Sequence, residues 1–223
     1  MRVVQFFTFC YTFTCEGNSL NNKNSNRMKK SIIYMNENFK SHPTIDEIAE
    51  YMGMSKFYFI TKFKECVGIT PMLFLQFITL QHAKENIDQS KTILDNSIDI
   101  GLSSQSRLYD LFVNLLGVTP HEYKQHGKNV AITYGYGSTI FGKTFIAFTK
   151  KGINHLEFLK ENQDEVLKKF KSSWGNATFL NDEEEAKKYL KDITIAKNTN
   201  SQIKVWEASL KYTNWNYDEY NIH

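Results

Sequence analysis

Thr44-Ile-Asp-Glu-Ile-Ala-Glu-Tyr-Met-Gly-Met-Ser-Lys-Phe-Tyr-Phe-Ile-Thr-Lys-Phe-Lys-Glu-Cys-Val67 is the stretch whose reading decides the fold of the first half of the chain. Its opening, Thr44-Ile-Asp-Glu47, has the form of a capping box: the threonine hydroxyl accepts an amide hydrogen while the glutamate reaches back to the cap. Ile45, Ile48, Ala49 and Met52 follow at helical spacing and mark one buried stripe. Gly53 supplies the left-handed residue that a tight turn requires. Ser55 can cap a second helix, Lys56 to Val67, in which Phe59 and Phe63 lie one turn apart and face inward. The pattern is helix, short glycine-containing turn, helix.

Upstream, Ile32, Met35 and Phe39 predict a helix from Met28 that stops at Ser41-His-Pro43, where proline restrains the residue before it. Downstream, the same pattern returns. Phe59, Phe63, Gly68, Thr70, Pro71 and Phe74 recur 49 residues later as Leu108, Phe112, Gly117, Thr119, Pro120 and Tyr123. The preceding halves match at an offset of 48, with Ile45, Ala49, Met52, Gly53, Met54 and Ser55 becoming Ile93, Ser97, Ile100, Gly101, Leu102 and Ser103. The second turn is therefore one residue longer. Between the copies, Pro71 to Ile87 reads as one helix, started by proline at its first position and apolar at Phe74, Phe77, Ile78 and Leu80, which would hold both units rigidly.

Composition bounds the rest. A chain of 223 residues, 41% of them apolar, has enough material for one large or two small cores, and two domains are expected. Disorder throughout is excluded. With 3 Pro and 11 Gly the chain is not linker-like, and no apolar run approaches the roughly 18 residues of a spanning helix, so a soluble protein is expected. Cys10, Cys15 and Cys66 show no metal-ligand spacing and fit a reducing compartment. Net charge is +3, distributed as +2 over residues 1–27, −1 over 28–126 and +2 over 127–223. The repeat is thus nearly neutral, which predicts weak non-specific binding to any polyanion.

Residues 1–27 read as a poorly ordered extension: Val3 to Cys15 is aromatic and β-branched, and Glu16 to Asn26 is a polar linker without periodicity. A signal peptide is the competing reading, but no Ala-x-Ala-like cleavage site follows. Beyond Gly127, Val130 to Tyr136, Thr144 to Thr149 and Ile153 to Phe158 read as strands, with a hairpin at Lys150-Lys-Gly152. Asp164 to Trp174 then reads as an amphipathic helix, Ala177 to Leu180 as a strand and Glu183 to Leu190 as a helix, an α+β arrangement. Asp182 to Glu185 fits a helix start better than a cation site. Gly135-Tyr-Gly137 lacks the lysine and helix of a phosphate loop, and the run Lys168, Lys169, Lys171 fits a solvated face.

The tandem helix-turn-helix units over 28–126, with their Gly-x-Thr-Pro-x-x-aromatic ends, resemble the DNA-binding domain of AraC-type transcriptional regulators. The resemblance implies two recognition helices, Ser55 to Val67 and Ser103 to Leu116, entering successive major grooves. Residues assigned on that basis to duplex DNA are Lys56, Phe57, Ile60, Thr61 and Lys64 in the first, and Ser104, Gln105, Arg107 and Tyr109 in the second. Lys56 and Lys64 suit phosphates; Gln105 suits adenine and Arg107 phosphate or guanine. Thr61 and Ile60 depart from the family, which usually carries arginine and a polar residue there, and Asp110 would repel phosphate unless it pairs locally.

Ile132 to Gly142, Phe145 to Ile153 and Trp174-Gly-Asn-Ala177 resemble the ribonuclease-H-like N-terminal domain of methylated-DNA-protein-cysteine methyltransferases, a match over about 130–192 that implies a domain of 127–195. Lys197 to Ala208 resembles the entry to that family's catalytic domain, so residues 196–223 would be its incomplete start. In the family a cysteine in a Pro-Cys-His-Arg motif takes an alkyl group from a flipped guanine. This chain has no cysteine after Cys66, which implies a chain without that activity. The combination resembles the Ada group, which joins alkylation repair to transcriptional activation.

The resulting expectation is a multidomain protein, an all-α tandem helix-turn-helix domain followed by an α+β ribonuclease-H-like domain. It would act as a DNA-binding regulator in the cytoplasm, associated with the nucleoid, with RNA polymerase as a further partner and no cofactor, metal or membrane. The alternatives are a repair methyltransferase whose catalytic domain is truncated or frame-shifted, and a non-DNA interaction module.

Overall fold

A computed structural model describes residues 22–194 except 90–91, 140–141 and 160–161. The aromatic segment Val3 to Cys15 and the segment Lys197 to Ala208 lie outside the described residues.

Helix α1 spans Asn22–Asn38 and ends in a single 3₁₀ turn, Phe39–Ser41. It begins within the tract read as linker. Met28, Ile32 and Met35 are buried and anchor the helix, and its first polar turn continues the hydrogen-bonded ladder although that turn carries no apolar periodicity of its own. His42 then turns the chain in the left-handed region, at φ 49°.

The first unit is α2 (Ile45–Tyr51) and α3 (Lys56–Val67). The capping box is formed: Glu47 N donates to Thr44 Oγ1 at 3.2 Å and Thr44 N to Glu47 Oε2 at 2.7 Å. These hydrogen bonds to the carboxylate hold the Glu47 pKa below its ordinary value. Helix α4 (Pro71–Asn86) starts on the Thr70 cap with proline at its first turn and is buried on nearly every side, as a helix between two units must be.

The second unit is α5 (Ile93–Asp99) and α6 (Gln105–Leu116), followed by the short α7 (Pro120–Lys124). Thr92–Asp95 and Thr119–Glu122 form two more capping boxes. The inserted residue lies in the turn, and as a result the cap of α6 is Ser104 rather than Ser103. The second unit meets the 3₁₀ turn after α1 at Gly101, where a Cβ would run into the carbonyl of Lys40, and meets α4 through Asn96, whose amide donates to Ala83 O at 3.0 Å.

The C-terminal half is a four-stranded sheet in the order β3-β2-β1-β4, from β1 (Ala131–Thr139), β2 (Gly142–Thr149), β3 (Gly152–Phe158) and β4 (Thr178–Asn181). The first three strands are antiparallel neighbours, with Tyr134 opposite Ala147 and Ile146 opposite Leu156; β4 runs parallel to β1, with Ile132 opposite Phe179. The parallel pair needs a crossover, and α8 (Gln163–Ser173) supplies it. Phe170 of α8 packs on one sheet face against Phe145, His155 and Phe179. Helix α9 (Glu183–Thr194) covers the other face, where Ala186 and Leu190 join Ile146, Phe148 and Leu156.

Gly135 and Gly137 explain how α9 comes so close. A Cβ on either would fall 2.7 Å from the Ala186 methyl or 2.5 Å from Leu190 Cδ1. The Gly-Tyr-Gly sequence is therefore a packing device.

One continuous core joins the halves. Phe112, Leu115 and Val118 belong to the same buried cluster as Val130, Ile132, Phe145 and Trp174. The junction near Gly127 is packed: a Cβ there would meet Ala177 and Trp174.

Candidate nucleic-acid interface

Helix α3 is oriented by its buried side. Ser55 caps it by accepting from Tyr58 N at 3.4 Å, and Phe59, Phe63 and Val67 are buried, with Phe63 edge-on to Phe74 of α4 at 5.4 Å. The opposite side faces outward. Lys56, Phe57, Thr61 and Lys64 are exposed, Phe57 to 82%. Ile60 departs from the sequence reading: it is half-buried and packs against the core, because a residue three positions before the buried Phe63 lies only about 60° from it around the helix.

Two of these exposed groups are already engaged. Lys56 Nζ lies 2.7 Å from Asp46 Oδ2, both side chains more than half exposed, so this cation is shared with a carboxylate of α2. Thr61 Oγ1 donates to Phe57 O at 3.0 Å, leaving its lone pairs to accept from outside. Tyr58, which the spacing argument passed over, is exposed to 41% with Lys62 Nζ 5.9 Å from its ring centroid. Lys62 is itself hydrogen-bonded to Glu65 at 2.6 Å, and that bond raises its pKa.

Helix α6 repeats the plan. Ser104 is half-buried and its hydroxyl accepts from Arg107 N at 3.4 Å, a capping role that places Gln105 and Arg107 in the first turn. Leu108, Phe112, Leu115 and Leu116 are buried, and Gln105, Ser106, Arg107, Tyr109 and Asp110 are exposed. Ser106 is exposed beside the residues assigned from the sequence.

The fold brings the two helices to a shared cleft. Lys56 of α3 and Arg107 of α6 both line it, together with Gln76 of α4 and with Asp46 and Asp110 as its acidic members. His42 lines the same cleft. Burial holds its imidazole below the ordinary pKa, opposed by backbone hydrogen bonding at Gly101 and aided by the Arg107 charge. Gln105 and Tyr109 instead border a separate hollow with Ile93, Thr119 and His121.

Other candidate groups resolve into structural roles. Asp182 Oδ1 accepts from Glu185 N at 2.9 Å and so caps α9, as the dipole argument expects. Cys66 is half-buried against the core. Among the described residues no group of three or more His, Cys, Asp or Glu side chains could hold a metal ion, and no single helix is long and apolar enough to cross a membrane.

Residues 48–126 match the family model described as "Helix-turn-helix domain". They form a helix-turn-helix domain. The bifunctional transcriptional activator/DNA repair enzyme Ada of Escherichia coli is 24% identical over 110 residues, 49% of this chain and 31% of that protein; the similarity to Ada lies over the helix-turn-helix region. The melibiose operon regulatory protein of the same organism is 26% identical over 93 residues, 41% of this chain and 31% of that one. The chain thus spans about a third of the length of these two relatives. Among solved structures, the C-terminal domain of AraT, a response regulator from Geobacillus stearothermophilus, aligns with a TM-score of 0.43 at 22% identity, covering 48% of this chain and 88% of that one.

Proposed function

We propose that this chain is a sequence-specific DNA-binding transcription regulator in which α3 and α6 are the recognition helices. The observation that carries the reading is the pair of equivalent helices, each pinned by its aromatic face to the core and each exposing its other face, within an AraC-type helix-turn-helix domain. Such a pair suits two half-sites about one helical turn apart, roughly 34 Å. Lys56, Lys64 and Arg107 would neutralise phosphates, Gln105 would read a base edge, and Phe57 and Tyr109 would meet thymine methyls or sugars. Ser104 and Thr61 would contribute through lone pairs left over from their structural bonds. Ile60, half-buried against the core, has the least surface to offer DNA.

The division into an extension, a helix-turn-helix domain over 28–126 and a ribonuclease-H-like domain over 127–195 belongs to the same proposal. It is supported in the second half by the sheet order β3-β2-β1-β4 with a helical crossover to a parallel β4. A role in the alkylation-damage response, action on RNA polymerase and a place at the nucleoid follow only from the resemblance to the Ada group.

Selection of duplexes from a random pool tests the reading. Enrichment of a two-part motif with centres about ten base pairs apart is expected; failure to enrich any motif sinks it and favours a protein-interaction module. On the selected site, Lys56→Ala should weaken binding to every sequence and flatten the salt dependence by about one unit, while Gln105→Ala should relax preference at one base pair. Equal loss on all sequences for both variants would count against the residue assignments.

A further inference from the structure

We propose that the C-terminal α/β half is a brace that fixes the pose of the second recognition helix, with Thr149 and Asn154 as positioning residues; this rests on the reading of α6 as a DNA-contacting helix. The last carbonyls of any helix lack partners within it and must find them elsewhere. At the end of α6, Leu116 O accepts from Asn154 Nδ2 of β3 at 2.9 Å, and the next carbonyl, Gly117 O, accepts from Thr149 Oγ1 of β2. Asn154 is 3% exposed and Thr149 6%. Buried donors of this kind are costly to leave unsatisfied, so the two bonds hold the helix end and the strands in one register.

The backbones themselves touch at this point. A Cβ on Gly117 would stand 2.5 Å from Gly152 O, and Gly117 is at φ 65°, so the close approach and the left-handed turn both require glycine. The brace continues around the helix end: Lys151 Nζ meets Glu122 Oε1 at 2.8 Å, Tyr123 is edge-on to Trp174 at 5.7 Å, and Asn176 Nδ2 donates to Gln125 O at 3.0 Å. Gly68, the equivalent residue ending α3, is exposed.

A helix held at its C-terminal end acts as a lever. Over its 12 residues α6 is about 18 Å long, so a small tilt at Leu116 displaces Gln105 and Arg107 at the far end by more than a base-edge hydrogen bond tolerates. The brace should therefore govern reading by the second unit and leave the first untouched.

The test uses the full chain and three duplexes: the selected site, and versions with the first or the second half scrambled. The intact protein should prefer the selected site over either scrambled one by about tenfold or more. In Thr149→Val/Asn154→Ala the preference over the second-half scramble should fall to within about threefold, while that over the first-half scramble stays, the half-site cost of wrong base pairs being the readout. Thr149→Ser, which keeps the donor, should behave as the intact protein. Unchanged discrimination at the second half, or equal loss at both halves, overturns the brace. An intact protein that discriminates neither half refutes the DNA reading itself, and the brace with it. Should the double variant not fold, hydrogen exchange of the Leu115 to Val118 amides in Thr149→Val against Thr149→Ser decides: faster exchange only in the valine variant is expected, and equal protection overturns the proposal.

Discussion

The two helix-turn-helix units are close copies inside and unlike outside. Phe63 and Phe74 meet at 5.4 Å and 67°, and their counterparts Phe112 and Tyr123 at 5.4 Å and 66°, although Tyr has replaced Phe and the turn has gained a residue. Their surroundings differ. Gly53, in the first turn, has nothing within 4 Å of where a Cβ would be, whereas Gly101 is pressed against Lys40. Tyr123 carries a further contact to Trp174, and its phenol is pushed up to about 12 by burial with help from Asp88. The difference teaches that the aromatic geometry belongs to the unit itself, while each turn and each helix end is used according to what the rest of the chain lays against it.

The strongest way to break this comparison is to remove the paired aromatics. Phe63→Ala and Phe112→Ala should each cost about 3–5 kcal/mol, since both rings are fully buried. Denaturant unfolding of the full chain checks this, and a loss below about 1 kcal/mol at either site would show that the units are not equivalent inside.

The turn glycines sharpen the contrast. Gly53→Ala meets only the left-handed strain of about 1–2 kcal/mol, whereas Gly101→Ala adds a backbone clash of about 1–3 kcal/mol on top of it. Equal midpoints for the two variants would mean that the contact between Gly101 and the 3₁₀ turn at Lys40 gives way freely.

A smaller effect comes from pH. Burial lowers the imidazole pKa of His42, beside Gly101, and of His82, stacked on Phe39 at 4.0 Å. As pH falls through about 6.5 the unfolded chain takes up protons before the folded one does. Stability is then lost on acidification, and it rises again with pH over the same window. Unfolding midpoints at pH 7.5 and 5.5 should show this loss, and it should shrink in His42→Asn/His82→Gln. An unchanged slope in the double variant would remove both groups from the account.

Much of the fold is legible in residue order. Capping boxes, the proline at the start of α4 and the aromatic spacing all act over three to five residues, so each leaves a local mark. The Ser104 cap was displaced by one residue because a serine stands on both sides of the inserted position. The start of α1 is not legible, because polar residues carried into a helix by an apolar anchor downstream look like linker. Among the site residues, exposure of Lys56, Phe57, Gln105, Arg107 and Tyr109 follows from helical phase. The Lys56–Asp46 pair and the packing of Ile60 do not, since both depend on where a neighbouring helix lies.

By itself, then, the sequence determined the tandem units, their internal aromatic packing and the helices that face outward, because each is set by periodicity and short-range hydrogen bonding. Only the tertiary structure decided that the two halves share one core, that Gly135 and Gly137 serve α9, and that Asn154 and Thr149 close the end of α6. Those bonds join residues 32 and 38 positions apart, and the pairing of a buried donor with an orphan carbonyl at such a separation leaves no trace in the spacing of either.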